Sequence, residues 1–329
     1  MNTVVFNKEE IKEAALLLKE GKNVSFPTET VYGLGGIYNN EEAIRGIFRA
    51  KNRPGDNPLI LHIYDRDQLE DLVTDISEEA KLLMDHFWPG PLTLIFNKKE
   101  EVSPLISAGL ESVAVRLPSH PVAQALLKEV GLPVAAPSAN PSGYPSPTRE
   151  EHVLEMKGKV EGILLGGDAT VGLESTVIDA REIPLKILRP GHITTDDIRS
   201  LDLECFRVED KEKSASPGVL HRHYAPRAMV TMIKGTPEEI MALIEKEEKG
   251  VFLLTDKTWE ENPRCIRFMP EGKRDYSEQH YYAMLRKLDE EGVEKIFVEV
   301  LEDTPEHEAL MDRIKRSADG RLLDLGERE

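Results

Sequence analysis

The side chains best suited to bind an anion lie inside predicted strands or just beyond their ends. They form four groups: Lys51 and Arg53 with Asn57, then Arg116, then Ser138 with Asn140, and finally Arg189. Guanidinium and ammonium groups bind phosphate and carboxylate through charge-assisted hydrogen bonds. The chain has no Gly-x-x-x-x-Gly-Lys-Ser/Thr motif and no Gly-x-Gly-x-x-Gly spacing. A bound phosphate would therefore depend on side-chain cations and loop amides.

Arg116 and His62 are unusual because each lies in an otherwise apolar predicted strand. A buried arginine costs several kcal/mol unless a partner neutralises its charge. That partner is either a structural carboxylate or a bound anion, and the spacing alone does not decide between them. His62 is somewhat more often a satisfied core histidine than a ligand. A lone arginine in a loop, such as Arg189, is usually a solvated surface charge.

The sequence gives little support for a metal site or for a serine hydrolase. His221 and His223 are two residues apart in a polar segment, and no cysteine lies near them. Structural zinc sites combine four ligands, typically cysteines and histidines, so this pair does not predict one. The chain also lacks the Gly-x-Ser-x-Gly elbow of many hydrolases.

Length and composition indicate a two-domain globular protein of the cytoplasm. The chain has 329 residues, 40% of them hydrophobic, and a formal net charge of −18 that both halves share. No apolar run approaches the length of a membrane span, and the N-terminus does not resemble a signal peptide. Two cysteines without a Cys-x-x-Cys motif fit a reducing compartment. The acidic balance argues against strong direct binding of nucleic acid.

The order of the predicted elements divides the chain into three parts. Residues 1–198 mix unevenly spaced strands and helices, which predicts an α/β (α+β) domain built on a twisted mixed sheet. In this part, Phe26–Gly36 follows a buried strand and reads as a glycine-rich loop whose backbone could pass close to a ligand. Residues 199–227 read as a linker. Residues 228–329 alternate strand and helix, which predicts a small Rossmann-like open α/β domain.

Many separate motifs closely resemble the YrdC-like threonylcarbamoyl-AMP synthase family. They cover about residues 5–200, and the linker motifs resemble those of the longer, two-domain form. The resemblance is carried by FPTETVYGLGG (26–36), KNRPGDNPLI (51–60) with His62, WPGPL (88–92), VAVRLP (113–118), AAPSAN (135–140), PSPT (145–148), ESTV (174–177), LRPG (188–191), SPG (216–218) and HYAP (223–226).

This resemblance implies a nucleotidyltransferase that makes threonylcarbamoyl-AMP and pyrophosphate. Its substrates would be L-threonine, bicarbonate or CO2, and ATP, with Mg²⁺ entering on the ATP phosphates and no dedicated metal site on the protein. The product would pass to the tRNA threonylcarbamoyl transferase machinery, which modifies N6 of adenosine 37. A displacement at phosphorus of this kind requires positioning and charge neutralisation more than a covalent nucleophile.

The resemblance also implies roles for individual residues. Lys51, Arg53 and Arg116 would be the catalytic cations. The threonine site would use Thr30, His62, Arg116, Ser175 and the backbone of Ala136. The ATP site would use Lys51, Arg53, Asn57, Ser112, Ser138, Ser146, Arg189 and Tyr224. The linker around His223 and Tyr224 would close over the nucleotide as a lid.

A second hypothesis comes from another functional class. The cluster of Lys51, Arg53, Arg116 and Arg189 could instead hold tRNA or rRNA in a translation-associated module without turnover. The acidic balance of both halves and the lack of aromatic residues interleaved with basic ones disfavour this hypothesis.

Overall fold

The computed structural model describes residues 1–52, 55, 57–208, 224–255, 262–270 and 273–326. These residues form two compact units. The first unit contains residues 1–142 and 146–208, and the second contains residues 143–145 and 224–326. A short stretch within the predicted first domain, Gly143–Pro145, thus belongs to the second unit. Most of the predicted linker, residues 209–223, lies outside the described residues.

The described part of the first unit is built on one mixed sheet of eleven strands. Their order across the sheet is β1-β8-β2-β3-β7-β4-β6-β5-β9-β10-β11. The strands are β1 (Val4–Phe6), β2 (Val24–Phe26), β3 (Gly33–Ile37), β4 (Ile60–His62), β5 (Leu92–Asn97), β6 (Ser112–Arg116), β7 (Val134–Ala135), β8 (Gly162–Leu164), β9 (Thr176–Asp179), β10 (Leu185–Arg189) and β11 (Cys205–Arg207). β11 pairs in parallel with β10, so the sheet continues beyond residue 198, where we had placed the end of this domain.

Helices cover this sheet and bury their apolar faces against it. They are α1 (Ile11–Lys19), α2 (Glu41–Lys51), α3 (Glu78–Phe87), α4 (Pro104–Ser107), α5 (Pro121–Val130), α6 (Glu150–Val153) and α7 (Thr195–Arg199), with 3₁₀ turns at Arg66–Asp71 and Leu154–Met156. The 3₁₀ turn Arg66–Asp71 begins at a capping box formed by Asp65 and Gln68. No helix in the described part of the whole chain is long and apolar enough to cross a membrane.

The glycine-rich segment differs from its predicted form. Gly33–Ile37 is strand β3, which pairs antiparallel with β2 and places Gly33 opposite Phe26. A Cβ on Gly35 would lie 2.9 Å from Val134 Cγ1 and 3.2 Å from the Val24 carbonyl oxygen, closer than packed atoms tolerate. The prediction of a loop at these glycines was therefore wrong, because they belong to a strand and allow neighbouring protein elements to pack closely.

The second unit is a five-stranded parallel sheet, and its described strands follow the order β14-β13-β15-β12-β16. Its elements are β12 (Met229–Lys234), α8 (Pro237–Lys246), β13 (Val251–Leu254), β14 (Cys265–Arg267), α9 (Arg274–Glu290), β15 (Lys295–Glu299), α10 (Glu308–Ser317) and β16 (Leu322–Asp324). The prediction of a small open α/β domain is confirmed. Counted from β12 as strand 1, the strand order is 3-2-4-1-5, whereas Rossmann domains have the order 3-2-1-4-5. The similarity to Rossmann domains therefore lies in the parallel sheet covered by helices.

Candidate active site

Three buried polar side chains lie side by side across the middle of the first sheet. His62 on β4 and Thr93 on β5 are both register partners of Arg116 on β6. Register partners on neighbouring strands project to the same face of a sheet. Each of the three residues is at most 4% exposed. A polar cluster this deep must find its partners within the protein or in a bound ligand.

The guanidinium of Arg116 is held on three sides. Its Nε donates to the Gly90 carbonyl oxygen at 3.3 Å, and its Nη1 donates to Thr30 Oγ1 at 2.7 Å. Its Nη2 lies 2.7 Å from Glu29 Oε1 in a buried ion pair. The sequence left a structural carboxylate and a bound anion open as partners for Arg116. The structure supplies the structural carboxylate, which is Glu29.

Thr28 fixes the turn between β2 and β3 and the direction of the Thr30 hydroxyl. Its Oγ1 accepts from the backbone N–H groups of Thr30 at 3.3 Å and Val31 at 3.2 Å. The Thr28 hydroxyl donates to the Val31 carbonyl oxygen at 2.6 Å. The hydroxyl oxygens of Thr28 and Thr30 lie 2.9 Å apart. Because the Thr28 proton is already donated to Val31, the Thr30 hydroxyl must be the donor in this pair. The Thr30 oxygen is thereby left with a lone pair for Arg116.

His62 is neutral at physiological pH. Burial, reinforced by the positive charge of Arg116, lowers the pKa of His62 to about 3. Its Nδ1 lies 3.2 Å from the Ile60 carbonyl oxygen, and because a carbonyl only accepts, Nδ1 carries the proton in that bond. The Phe26 ring meets the imidazole edge-on, with the two centroids 6.0 Å apart. In this tautomer Nε2 is a hydrogen-bond acceptor.

Lys51 closes the loop that contains Ser138 and Asn140. It is the last residue of α2 and only 2% exposed. Its Nζ donates to the carbonyl oxygens of Ser138 and Asn140, the latter at 2.5 Å. The Lys51 carbonyl oxygen in turn accepts from the N–H of Ser142 at 2.9 Å. The structure therefore brings Lys51 and Ser138 together, as expected for two residues of one site.

A second polar group joins the starts of β5 and β9 to the end of β10. The hydroxyls of Ser175 and Thr93 lie 2.6 Å apart. Arg189 donates to Ser175 twice, from Nε to the carbonyl oxygen at 3.0 Å and from Nη2 to Oγ at 3.1 Å. Ser146 Oγ donates to Glu174 Oε1 at 2.6 Å. Thr93 therefore links Ser175 and Arg189 to the strand beside Arg116.

Three further predicted residues lie along β4 and β6. The N–H of Ala136 donates to the Ile60 carbonyl oxygen at 2.9 Å, which holds this residue beside β4. Asn57 precedes β4 and is only 1% exposed. Ser112 begins β6, four residues before Arg116, a separation of about 13 Å along an extended strand. Ser112 and Arg116 thus lie at opposite ends of the same strand.

Two predicted residues are not part of the described first unit. Arg53 lies outside the described residues. Tyr224 belongs to the second unit, where it is 5% exposed and stacks on Tyr282 with ring centroids 5.4 Å apart. The Arg313 guanidinium lies 5.4 Å from the Tyr224 ring centroid. The φ angle of Tyr224 is +62°, an uncommon conformation for a residue with a side chain.

Four buried residues of this site were not predicted from the sequence: Thr28, Glu29, Thr93 and Glu174. Glu29 could have been found, because a structural carboxylate was one of the two partners expected for Arg116 and Glu29 directly precedes Thr30. The other three carry no such signal. A hydroxyl following a buried strand is common, and only the register of β5 with β6 places Thr93 beside Arg116.

Comparison with known proteins places these motifs in a family. A family model for Sua5, YciO and YrdC proteins, described as "Telomere recombination", matches residues 16–191. This match covers more than half of the chain, including both polar groups around Arg116 and Arg189. The chain belongs to the Sua5/YciO/YrdC family. A second model, described as "Threonylcarbamoyl-AMP synthase, C-terminal domain", matches residues 193–319.

Members of this family resemble the chain over almost its whole length. A threonylcarbamoyl-AMP synthase of Bacillus subtilis is 44% identical, over 96% of this chain and 95% of its own. One from Pyrococcus abyssi is 39% identical, over 98% of this chain and 100% of its own. A crystal structure of P. abyssi Sua5 complexed with L-threonine has a TM-score of 0.88 and 37% identity, covering 98% of this chain and 99% of that one.

Proposed function

We propose that this protein is a threonylcarbamoyl-AMP synthase. It combines L-threonine, bicarbonate or CO2, and ATP into threonylcarbamoyl-AMP and pyrophosphate, which makes it a nucleotidyltransferase. The observation that carries the proposal is the Arg116 guanidinium, held by Gly90, Thr30 and Glu29 beside a neutral His62. This arrangement suits the carboxylate of an amino acid. The relatives named for this reaction match almost the whole chain and support the same conclusion.

Threonine binds with its carboxylate on Arg116. The N–H groups on the two terminal nitrogens of a guanidinium recognise a carboxylate bidentately. The Nε2 atom of neutral His62 accepts a hydrogen bond from the threonine side-chain hydroxyl. Ser175 and the backbone of Ala136 complete this end of the pocket, while Thr30 acts mainly by orienting Arg116.

ATP binds through the remaining predicted residues. The cations Lys51, Arg53 and Arg189 balance the charge of the triphosphate, and magnesium arrives with ATP as part of the substrate. Polar contacts come from Asn57, Ser112, Ser138, Ser146 and Tyr224. The buried ammonium of Lys51 also fixes the loop that carries Ser138, so it positions one ATP contact while it supplies charge.

The chemistry proceeds in two steps. The neutral threonine amine attacks CO2 and releases a proton from its nitrogen, or attacks bicarbonate with loss of water, and either route gives a carbamate. A carbamate oxygen then attacks the α-phosphorus of ATP, and magnesium pyrophosphate leaves. The residues around the α-phosphate stabilise the charge that develops during this displacement. We further propose that the product is made in the cytoplasm and passed to the machinery that modifies adenosine 37 of tRNA.

Pyrophosphate release with one substrate omitted at a time tests this function. We expect release only when ATP-Mg, L-threonine and bicarbonate are all present. Release that does not depend on threonine would contradict the proposal. Retention of RNA in a salt-dependent manner, with no turnover of ATP, would favour an RNA-binding module instead.

A further inference from the structure

Glu29 is a buried carboxylate that none of the predicted roles includes. It is 5% exposed, lies in the turn between β2 and β3, and forms an ion pair with Arg116. Burial alone would raise the pKa of Glu29, but the charge and hydrogen bond of Arg116 hold it below its usual value. The carboxyl group is therefore ionised at neutral pH. The Arg116–Glu29 pair is electrically neutral as a whole.

The contacts of Arg116 leave room for a second carboxylate. A guanidinium has five N–H groups. Among the described residues, the Gly90 and Thr30 oxygens accept one N–H each, from Nε and Nη1, and Glu29 lies in ion-pair contact with Nη2. At least one N–H therefore remains on each terminal nitrogen, the pair that a bidentate carboxylate uses. Glu29 can stay in place while a substrate carboxylate binds the same arginine.

We propose that Glu29 makes the pocket selective for a zwitterionic α-amino acid over an anion of the same shape. This inference rests on the proposed function, because it takes threonine as the ligand of Arg116. A carboxylate bound to Arg116 brings its own α-ammonium group near the Glu29 charge, where the two attract. A ligand with a hydroxyl in place of the ammonium brings only a negative charge, which Glu29 repels in a site shielded from water.

Two ligands distinguish this role from a purely structural one. The first is L-threonine, and the second is its 2-hydroxy analogue, 2,3-dihydroxybutanoate of matching stereochemistry. If Glu29 only orients Arg116, its loss weakens both ligands equally, because both use the same carboxylate contact. If its charge selects the zwitterion, its loss changes the ratio of the two affinities. A displaced Arg116 would lower both affinities by the same factor, so it would leave their ratio unchanged.

The first arm of the test uses the unmodified protein and isothermal titration calorimetry. We expect L-threonine to bind at least about tenfold more tightly than the hydroxy analogue. Equal affinities would overturn the inference while leaving threonine binding, and with it the proposed function, intact. Failure of the protein to bind either ligand would instead count against the proposed function. This arm does not depend on any variant folding.

The second arm compares Glu29→Gln with a control. Glutamine keeps the shape of Glu29 and an oxygen that accepts from Arg116, but removes the charge. Glu13→Gln removes the same charge from an exposed position on α1. We expect the threonine preference to fall at least about fivefold in Glu29→Gln and to stay unchanged in Glu13→Gln. An unchanged preference in a folded Glu29→Gln protein, or an equal fall in both variants, would overturn the inference.

Discussion

His62 and Arg116 are register partners on the neighbouring parallel strands β4 and β6, and the charge of the arginine helps to keep the histidine neutral. Their pairing depends on strand register, because a shift of one residue would turn one of the two side chains to the opposite face of the sheet. The same register also places a hydrogen-bond acceptor, His62 Nε2, beside a cation that binds carboxylates.

Stability should fall as the pH is lowered below the ordinary pKa of histidine. The pKa of His62 is about 3 in the folded protein against 6.5 for an unperturbed side chain. Between these two pH values the unfolded chain binds a proton that the folded protein does not bind. The stability that neutral His62 contributes is therefore fully present above about pH 6.5 and is lost as the pH falls toward 3. One such group contributes up to about 1.4 kcal/mol per pH unit.

The variant His62→Gln isolates this contribution. Its free energy of unfolding, measured with denaturant between pH 5 and 7, should depend less steeply on pH than that of the unmodified protein. His120, whose pKa burial also lowers, remains in both proteins and cancels in the comparison. Identical slopes would mean that the pKa of His62 is the same in the folded protein as in the unfolded chain, as for an exposed imidazole.

The substitution Arg116→Lys should impair threonine use far more than ATP use. Lysine keeps the charge but cannot form a bidentate contact or reach Gly90, Thr30 and Glu29 together. We expect kcat/KM for threonine to fall about 100-fold, with KM for ATP changed less than about twofold. Steady-state pyrophosphate release measures both, and an equal loss for the two substrates would show that Arg116 does not belong to the threonine side.

Thr28 should affect threonine binding without touching the substrate. Thr28→Val removes the acceptor of the Thr30 hydroxyl, which is then free to turn away from Arg116. We expect KM for threonine to rise several-fold and stability to fall by about 1–3 kcal/mol, the cost of unmade buried hydrogen bonds. Thr28→Ser keeps the hydroxyl and should behave like the unmodified protein. If both variants behave alike, the hydroxyl is not what matters.

In the second unit, Asp289 should anchor two separate segments. Its carboxylate accepts from the Tyr144 hydroxyl at 2.7 Å, from the Arg227 backbone at 3.0 Å and from the Ala228 backbone at 2.9 Å. Arg286 donates to the Pro145 carbonyl oxygen at 2.6 Å beside it. We expect Asp289→Ala to raise amide hydrogen exchange at Gly143, Tyr144, Arg227 and Ala228 at least about tenfold.

Tyr144→Phe is the matched control for this prediction. It removes one hydrogen bond to Asp289 and leaves the backbone bonds at residues 227 and 228 in place. Faster exchange should therefore be confined to Gly143 and Tyr144. Equal exchange at both segments in both variants would indicate that the second unit opens as a whole, and that Asp289 is not a local anchor.

The sequence predicted the fold better than the contacts within the site. Arg116 could be singled out because a charge in an apolar strand requires an explanation, and the family motifs placed it at the substrate. The glycines of β3 were misjudged, because glycine permits a ligand or a neighbouring strand to approach equally well. Thr93 acts through the pairing of β5 with β6, which local patterns of residue type do not encode.

The most direct test of the account is mass spectrometry of the reaction itself. The protein is incubated with ATP-Mg, L-threonine and ¹³C-labelled bicarbonate, and the products are resolved by liquid chromatography. We predict that the unmodified protein makes threonylcarbamoyl-AMP that carries one ¹³C atom. The yield from Arg116→Ala should be at least about 100-fold lower. An unlabelled adenylate of threonine, or equal yields from both proteins, would contradict the account.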